Sequence, residues 1–191
     1  MLSDLRRDHG NMVSSSFECY NGLVMRLFLA IIPDNGIKDE LCFAQKRLQL
    51  QGVKGNFTTR ENIHLTLAFI GEYNDPEHVS EVLKDVIFEP MRLVTDGFGC
   101  FGDTFWIGIK EDKGLETNVK RIRKALADNG IPFDRKKFTA HITIARKIRY
   151  EKDFPTDAPF PAGMDVTCIS LMRSDRGKSG MIYTVVDEYE I

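Results

Sequence analysis

His64-Leu65-Thr66-Leu67 and, 77 positions later, His141-Ile142-Thr143-Ile144 are one four-residue frame used twice: His-apolar-Thr-apolar. In an extended strand, successive side chains point to opposite faces. Each frame therefore sets an imidazole and a hydroxyl on one face and two aliphatic side chains on the other, where a core belongs. A given histidine falls into such a frame by chance on the order of one time in a hundred. Two matches among four histidines point to a shared purpose. An imidazole titrates near neutrality and a hydroxyl donates to an anion. Two such pairs facing each other can hold a phosphate between an acid and a base. The separation of the frames suits two lobes of similar size rather than a short-period solenoid. The expected arrangement is a pseudo-twofold pair of sheets, each presenting one frame to a shared cleft.

Outward from the frames, Met25 to Ile32 reads as a buried strand ended by Pro33-Asp-Asn-Gly36. Ile37, Leu41, Ala44 and Leu48 then fall at helical spacing, with Lys38, Lys46 and Arg47 on the wet side. Gly52 and Gly55 are expected to close that helix. Ile63 to Ile70 is the strand of the first frame, stopped by Gly71. Asp75-Pro76-Glu77 is a helix start, with a cap, a proline at the first position and an acid in the first turn. Its apolar stripe is Val79, Val82, Leu83, Val86 and Ile87. Met91 to Phe101 and Thr104 to Lys110 form two strands around Gly102-Asp103. Leu115, Val119, Ile122 and Leu126 define a third helix, closed by Asn129-Gly130. Ala140 to Lys147 carries the second frame. A proline-rich loop, Phe154 to Pro161, leads to strands near Val166–Arg173 and Met181–Asp187. Strands outnumber helices and neighbours read as antiparallel, so the class is α+β.

Composition narrows the function. At 191 residues the chain suits one sizeable domain or two small lobes sharing an interface. A net charge of −2 leaves no global basic field, so any nucleic-acid contact rests on a local site. Cys19, Cys42, Cys100 and Cys168 lack the close spacing of a zinc site and read as reduced thiols of a cytoplasmic protein. No apolar run is long enough to cross a membrane. Residues 1–24 are polar and read as a mobile N-terminal extension, which includes His9. Met25, at the head of the first strand, is a candidate natural start. Residues 25–191 are expected to form a single bilobal domain. No cofactor or metal is called for, no obligate protein partner is indicated, and a monomer is expected.

On these residues the chain resembles the 2H phosphoesterases, and within them the LigT-like RNA 2′,3′-cyclic phosphodiesterases, also called 2′-5′ RNA ligases. The resemblance covers about residues 25–187. It rests on Met25-Arg-Leu-Phe-Leu-Ala-Ile31, Glu61-Asn-Ile-His-Leu-Thr-Leu-Ala-Phe-Ile-Gly71, Phe138-Thr-Ala-His-Ile-Thr-Ile-Ala-Arg146, and Ser170 through Gly180 with Tyr183. Ala140 stands where the family usually has a proline, and Gly55-Asn-Phe-Thr where a tryptophan often lies. Both departures bear on substrate preference, since neither removes a titrating or donor group. The resemblance implies two pseudo-symmetric lobes of mainly antiparallel sheet with flanking helices and the active-site cleft between them. It also implies metal-independent hydrolysis of a 2′,3′-cyclic phosphate to a 2′-phosphomonoester, with 2′-5′ RNA ligation as a related activity. His64 is the implied proton donor and His141 the implied acceptor, roles that the two nearly symmetric frames alone do not separate. The implied substrates are RNA ends or small cyclic nucleotides. A 2H esterase for small nucleotides or 2′-5′ oligoadenylates is the alternative enzyme, and a catalytically silent RNA- or nucleotide-binding module the alternative from another class.

Around the frames, Thr66 and Thr143 are candidate phosphate donors. Arg146 is the third candidate phosphate-binding residue, although five residues after His141 it falls on the opposite face of a regular strand. If the strand ends or turns there, its guanidinium reaches the cleft and clamps phosphate. Arg60, the run Arg135-Lys136-Lys137, Lys147 and Arg149 are weighed between backbone contact and plain surface. Phe28, Phe69, Trp106 and Tyr183 are candidates for a stacking platform, although the run Phe105-Trp106-Ile107 assigns Trp106 to the core. His78 is read as a surface residue.

Overall fold

Met25–Ile31 (β1) is buried at all but one position because both faces of this strand are covered. The computed structural model describes residues 25–150, 161–178 and 180–191. The readings made for residues 1–24, and for the loop from Phe154 as far as residue 160, lie outside these. After β1 come Asn35–Leu50 (α1), Lys54–Phe57 (β2), a 3-10 turn at Arg60–Asn62 and Leu65–Tyr73 (β3). Pro76–Lys84 (α2), Arg92–Phe101 (β4), Thr104–Ile109 (β5) and Lys113–Asp128 (α3) follow. His141–Arg149 (β6), Gly163–Asp165 (β7), Cys168–Gly177 (β8) and Gly180–Glu190 (β9) complete the order.

The helix starts are set by side-chain caps. Asp34, Asp75 and Asp112 each accept a hydrogen bond from the backbone N–H three residues on, at 2.8–2.9 Å. The stripes of α1 and α3 are buried as their spacing predicts. That of α2 is shorter than expected: the helix ends at Lys84, and Ile87 lies beyond it, 81% exposed. Gly52 and Gly55 do not simply close α1. A short strand, β2, forms between residues 54 and 57 because β6 offers it an open edge. Gly71 does not stop β3 either; it takes a φ of +85° and the strand runs on to Tyr73.

All paired strands are antiparallel, in the order β7-β4-β5-β6-β3-β1-β8-β9, with β2 on β6. The two halves of this sheet meet where β3 and β6 touch, through one register pair, Leu65 with Ile142. The halves repeat one another. β1, α1 and β3 in the first correspond to β5, α3 and β6 in the second. The helices cross over: α1 packs toward β6 and β7, and α3 toward β3.

The same irregularity interrupts both frame strands. Ala30 pairs with Thr66 and Leu29 with Ala68, so Leu67 is an extra residue in β3. Trp106 pairs with Thr143 and Phe105 with Ala145, so Ile144 is an extra residue in β6. Such a bulge reverses the alternation of faces downstream. Leu67 and Ala68 are both buried, as are Ile144 and Ala145. The backbone groups freed at the second bulge are satisfied from elsewhere, as buried groups must be. The Ile144 carbonyl accepts the Thr58 N–H at 2.9 Å and the buried Gln45 side-chain amide at 2.8 Å. Gln45 donates to the Thr58 carbonyl as well, at 2.8 Å.

Replacing Gln45 with leucine strips the Thr58 carbonyl of this donor and leaves the Ile144 carbonyl with the Thr58 N–H alone. The expected cost is about 1–3 kcal/mol of stability, the scale of one unsatisfied buried group, read as a lower midpoint in denaturant unfolding. A midpoint unchanged from the parent protein contradicts this account of the bulge.

Candidate active site

Continuing the Leu65–Ile142 register by one residue sets His64 opposite Thr143 and Thr66 opposite His141. Leu65, Leu67, Ile142 and Ile144 turn to the core and are almost fully buried. The two frames thus face one cleft, each imidazole across from the other frame's hydroxyl. The strands part beyond this pair, which opens the space between the frames.

His64 and His141 are oriented by the same device. His64 Nδ1 lies 2.7 Å from the carbonyl of Asn62, and His141 Nδ1 lies 2.7 Å from the carbonyl of Thr139. A carbonyl only accepts, so each Nδ1 carries the hydrogen, and Nε2 is left to exchange protons. The Asn62 side chain donates to the Met181 carbonyl at 2.7 Å and so ties the 3-10 turn to β9. Sequence reasoning gave Asn62 no role. Its position two residues before the histidine is the signal, and the contact to β9 is visible only in the fold.

The ring surroundings differ between the halves. His64 is packed by Phe28 at 5.0 Å and by the edge-on Tyr183 at 5.1 Å. Burial pushes the His64 imidazole below its ordinary pKa, and the bond to the Asn62 carbonyl opposes this. The Arg146 guanidinium and His141 add smaller pushes downward. His141 instead meets Phe101 edge-on at 5.2 Å and Trp106 at 5.7 Å.

Trp106 is therefore not a core residue, contrary to the alternation expected of Phe105-Trp106-Ile107. The bulge at Ile144 pairs it with Thr143, and cross-strand partners share a face. Its indole lies against Gly99, where any Cβ would run into the ring. Trp106 Nε1 is buried without a hydrogen-bond partner.

Arg146 faces the cleft although β6 does not end there but runs on to Arg149. The same bulge turns it back to the cleft, where it lines two recesses that also include His64. The larger, of about 730 Å³, takes in Asn56, Thr58, Thr143 and Lys147. The smaller, of about 290 Å³, takes in Arg26, Thr66, Phe69 and Ser174. Among the stacking candidates, Phe28, Phe69 and Tyr183 all line the smaller recess, Phe28 being buried otherwise, and Tyr183 lines the larger recess as well. Arg60 turns away to Asp39 at 2.7 Å and to Asn35. Arg135 lies over Phe133, and Lys136 pairs with Asp134. His78 contacts the Tyr73 hydroxyl. Among the described residues, no group of three or more His, Cys, Asp or Glu side chains is placed to hold a metal ion, and no helix is long and apolar enough to cross a membrane.

Known proteins share this architecture. The apo structure of E. coli LigT superposes with a TM-score of 0.78 at 23% identity, covering 87% of this chain and 97% of that one. LigT complexed with 3′-AMP gives 0.77 at 23% identity, covering 88% and 98%. In sequence, a Methanocaldococcus jannaschii protein named RNA 2′,3′-cyclic phosphodiesterase is 31% identical over 86% of this chain and 100% of its own length. A protein of the same name from Archaeoglobus fulgidus is 33% identical over 64% of this chain and 72% of its own. The family model described as the 2′-5′ RNA ligase superfamily matches residues 43–178, a span that holds both histidine frames and the bulges that follow them. The chain belongs to the 2′-5′ RNA ligase superfamily.

Proposed function

We propose that this protein is an RNA 2′,3′-cyclic phosphodiesterase, which opens the cyclic phosphate at an RNA end to a 2′-phosphomonoester by acid–base catalysis between His64 and His141. The observation that carries this reading is the matched orientation of the two imidazoles, each with Nδ1 on the carbonyl two residues back, on strands that meet at Leu65 and Ile142. The names of relatives at about 30% identity over most of the chain support the substrate.

The chemistry needs two proton transfers. His141 Nε2 takes the proton of the attacking water as its oxygen bonds to phosphorus. His64 Nε2–H gives a proton to the ribose 3′ oxygen as the phosphorus–oxygen bond breaks. The phosphate stays on the 2′ oxygen. The Thr66 and Thr143 hydroxyls donate to the non-bridging oxygens, and Arg146 offsets their charge as it grows. Burial suits His64 to the donor role, because an imidazolium with a depressed pKa is a stronger acid. The anionic substrate supplies the nearby negative charge that lets His64 hold its proton in the complex. These steps use imidazole, hydroxyl and guanidinium groups and require no metal.

Product chromatography on a short RNA ending in a 2′,3′-cyclic phosphate tests the reading. The 2′-phosphate is expected as sole product, with the rate unchanged by EDTA. Intact substrate, or activity abolished by the chelator, counts against it. His64→Ala and His141→Ala are each expected to lower kcat about 10²–10⁴-fold, and the double variant by less than the product of the two. Near-normal turnover in either single variant would sink the mechanism.

The pH dependence follows from His64. The productive state holds one proton between the two imidazoles, and it is lost at low pH when both are protonated. Because the His64 pKa lies below 6.5, the acid limb of kcat/KM is expected to have its midpoint below pH 6.5. The His64 Cε1–H resonance should titrate below that value in the free protein and move upward with a 2′-nucleotide bound. A free-protein midpoint above 6.5 contradicts the assignment.

A further inference from the structure

Arg26 stands apart from the charge pairs of the surface. Arg60, Arg92 and Arg121 each pair with a carboxylate at 2.7 Å. Glu72 is the register partner of Arg26 on β3, yet among the described residues Arg26 forms no ion pair within 4 Å. Its guanidinium lies instead over the ring of Phe69, 5.6 Å from the centroid. A guanidinium stacked in this way keeps its N–H fork free for an anion. Phe69 is fixed in turn: the bulge at Leu67 turns it to the cleft, and its carbonyl accepts the Asp134 N–H at 2.8 Å.

The placement relative to the reacting groups is specific. Arg26 and Phe28 are successive cleft-facing positions of β1, which are about 6.8 Å apart along a strand. Phe28 touches the ring of His64. Arg26 therefore stands one step beyond His64, close to the interval between neighbouring phosphates on a nucleic-acid strand. Ser174, register partner of Arg26 on β8, adds a hydroxyl to the same recess.

We propose that Arg26, held on Phe69 with Ser174 beside it, binds the phosphodiester immediately upstream of the cyclic end, so that the protein selects oligonucleotide ends over cyclic mononucleotides. This rests on the phosphodiesterase reading above and names the substrate class of that site. The contact is made in both ground and transition states, so it acts chiefly on KM.

Three substrates test it: adenosine 2′,3′-cyclic phosphate, the adenylyl dinucleotide ending in the same cyclic phosphate, and that dinucleotide with a neutral methylphosphonate linkage. The wild-type protein is expected to favour the dinucleotide about tenfold or more in kcat/KM, the scale of one charge-assisted contact. The preference should shrink with added salt and vanish with the neutral linkage. Arg26→Gln should bring the dinucleotide down toward the mononucleotide, and Arg26→Lys should retain part of the difference. The wild-type comparison stands whether or not the variants fold. Equal use of all three substrates by the wild-type protein overturns the subsite and leaves the phosphodiesterase reading intact. Failure to open any of the three overturns both.

Discussion

One ladder contact, Leu65 against Ile142, holds the two histidine frames in register. Both side chains are fully buried, so a slip by one residue would turn aliphatic groups to the cleft and imidazoles to the core. Because the contact is confined to one pair, the strands diverge on either side. The cleft is thus a consequence of limited pairing in an otherwise continuous sheet. The crossed helices reinforce it: α1 braces β6 and α3 braces β3, so each half supports the strand of the other.

The bulges convert a duplicated motif into an asymmetric site. Each places the residue five positions after its histidine on the cleft face, yet these residues are Phe69 in one half and Arg146 in the other. The first half presents an aromatic ring to the cleft, and the second a cation. Closing a bulge in a buried strand requires donors for the freed carbonyls, and Gln45 with Thr58 supplies them at Ile144. A polar residue on the apolar face of α1 is in this way part of what aims Thr143 and Arg146.

The same asymmetry extends to protonation. Both imidazoles donate from Nδ1 to a carbonyl two residues back, but Phe28 and Tyr183 pack on His64, where burial pushes the pKa down and Arg146 adds a smaller push. Two histidines in one repeated frame therefore sit in different surroundings, and only at His64 does burial bear on the proton. The difference arises from what each half of the sheet packs behind its histidine.

The sequence by itself determined the frames, the α+β class and most helix limits, because these follow from local periodicity and capping. His64 with Thr66, and His141 with Thr143, share a face through the strand alternation alone. The three capped helix starts needed only an aspartate in the right place. Tertiary structure decided what depends on partners distant in the chain. Trp106 joined the cleft rather than the core, and Arg146 turned toward His64 rather than away, because one extra residue in β6 shifts the pleat, and no composition signal marks a bulge. β2 formed because β6 left an edge open, against the two glycines that argued for a loop. Arg60 went to Asp39 because α1 passes beside it. Local backbone preference is written along the chain; the choice of neighbour across a sheet is written only in the packed fold.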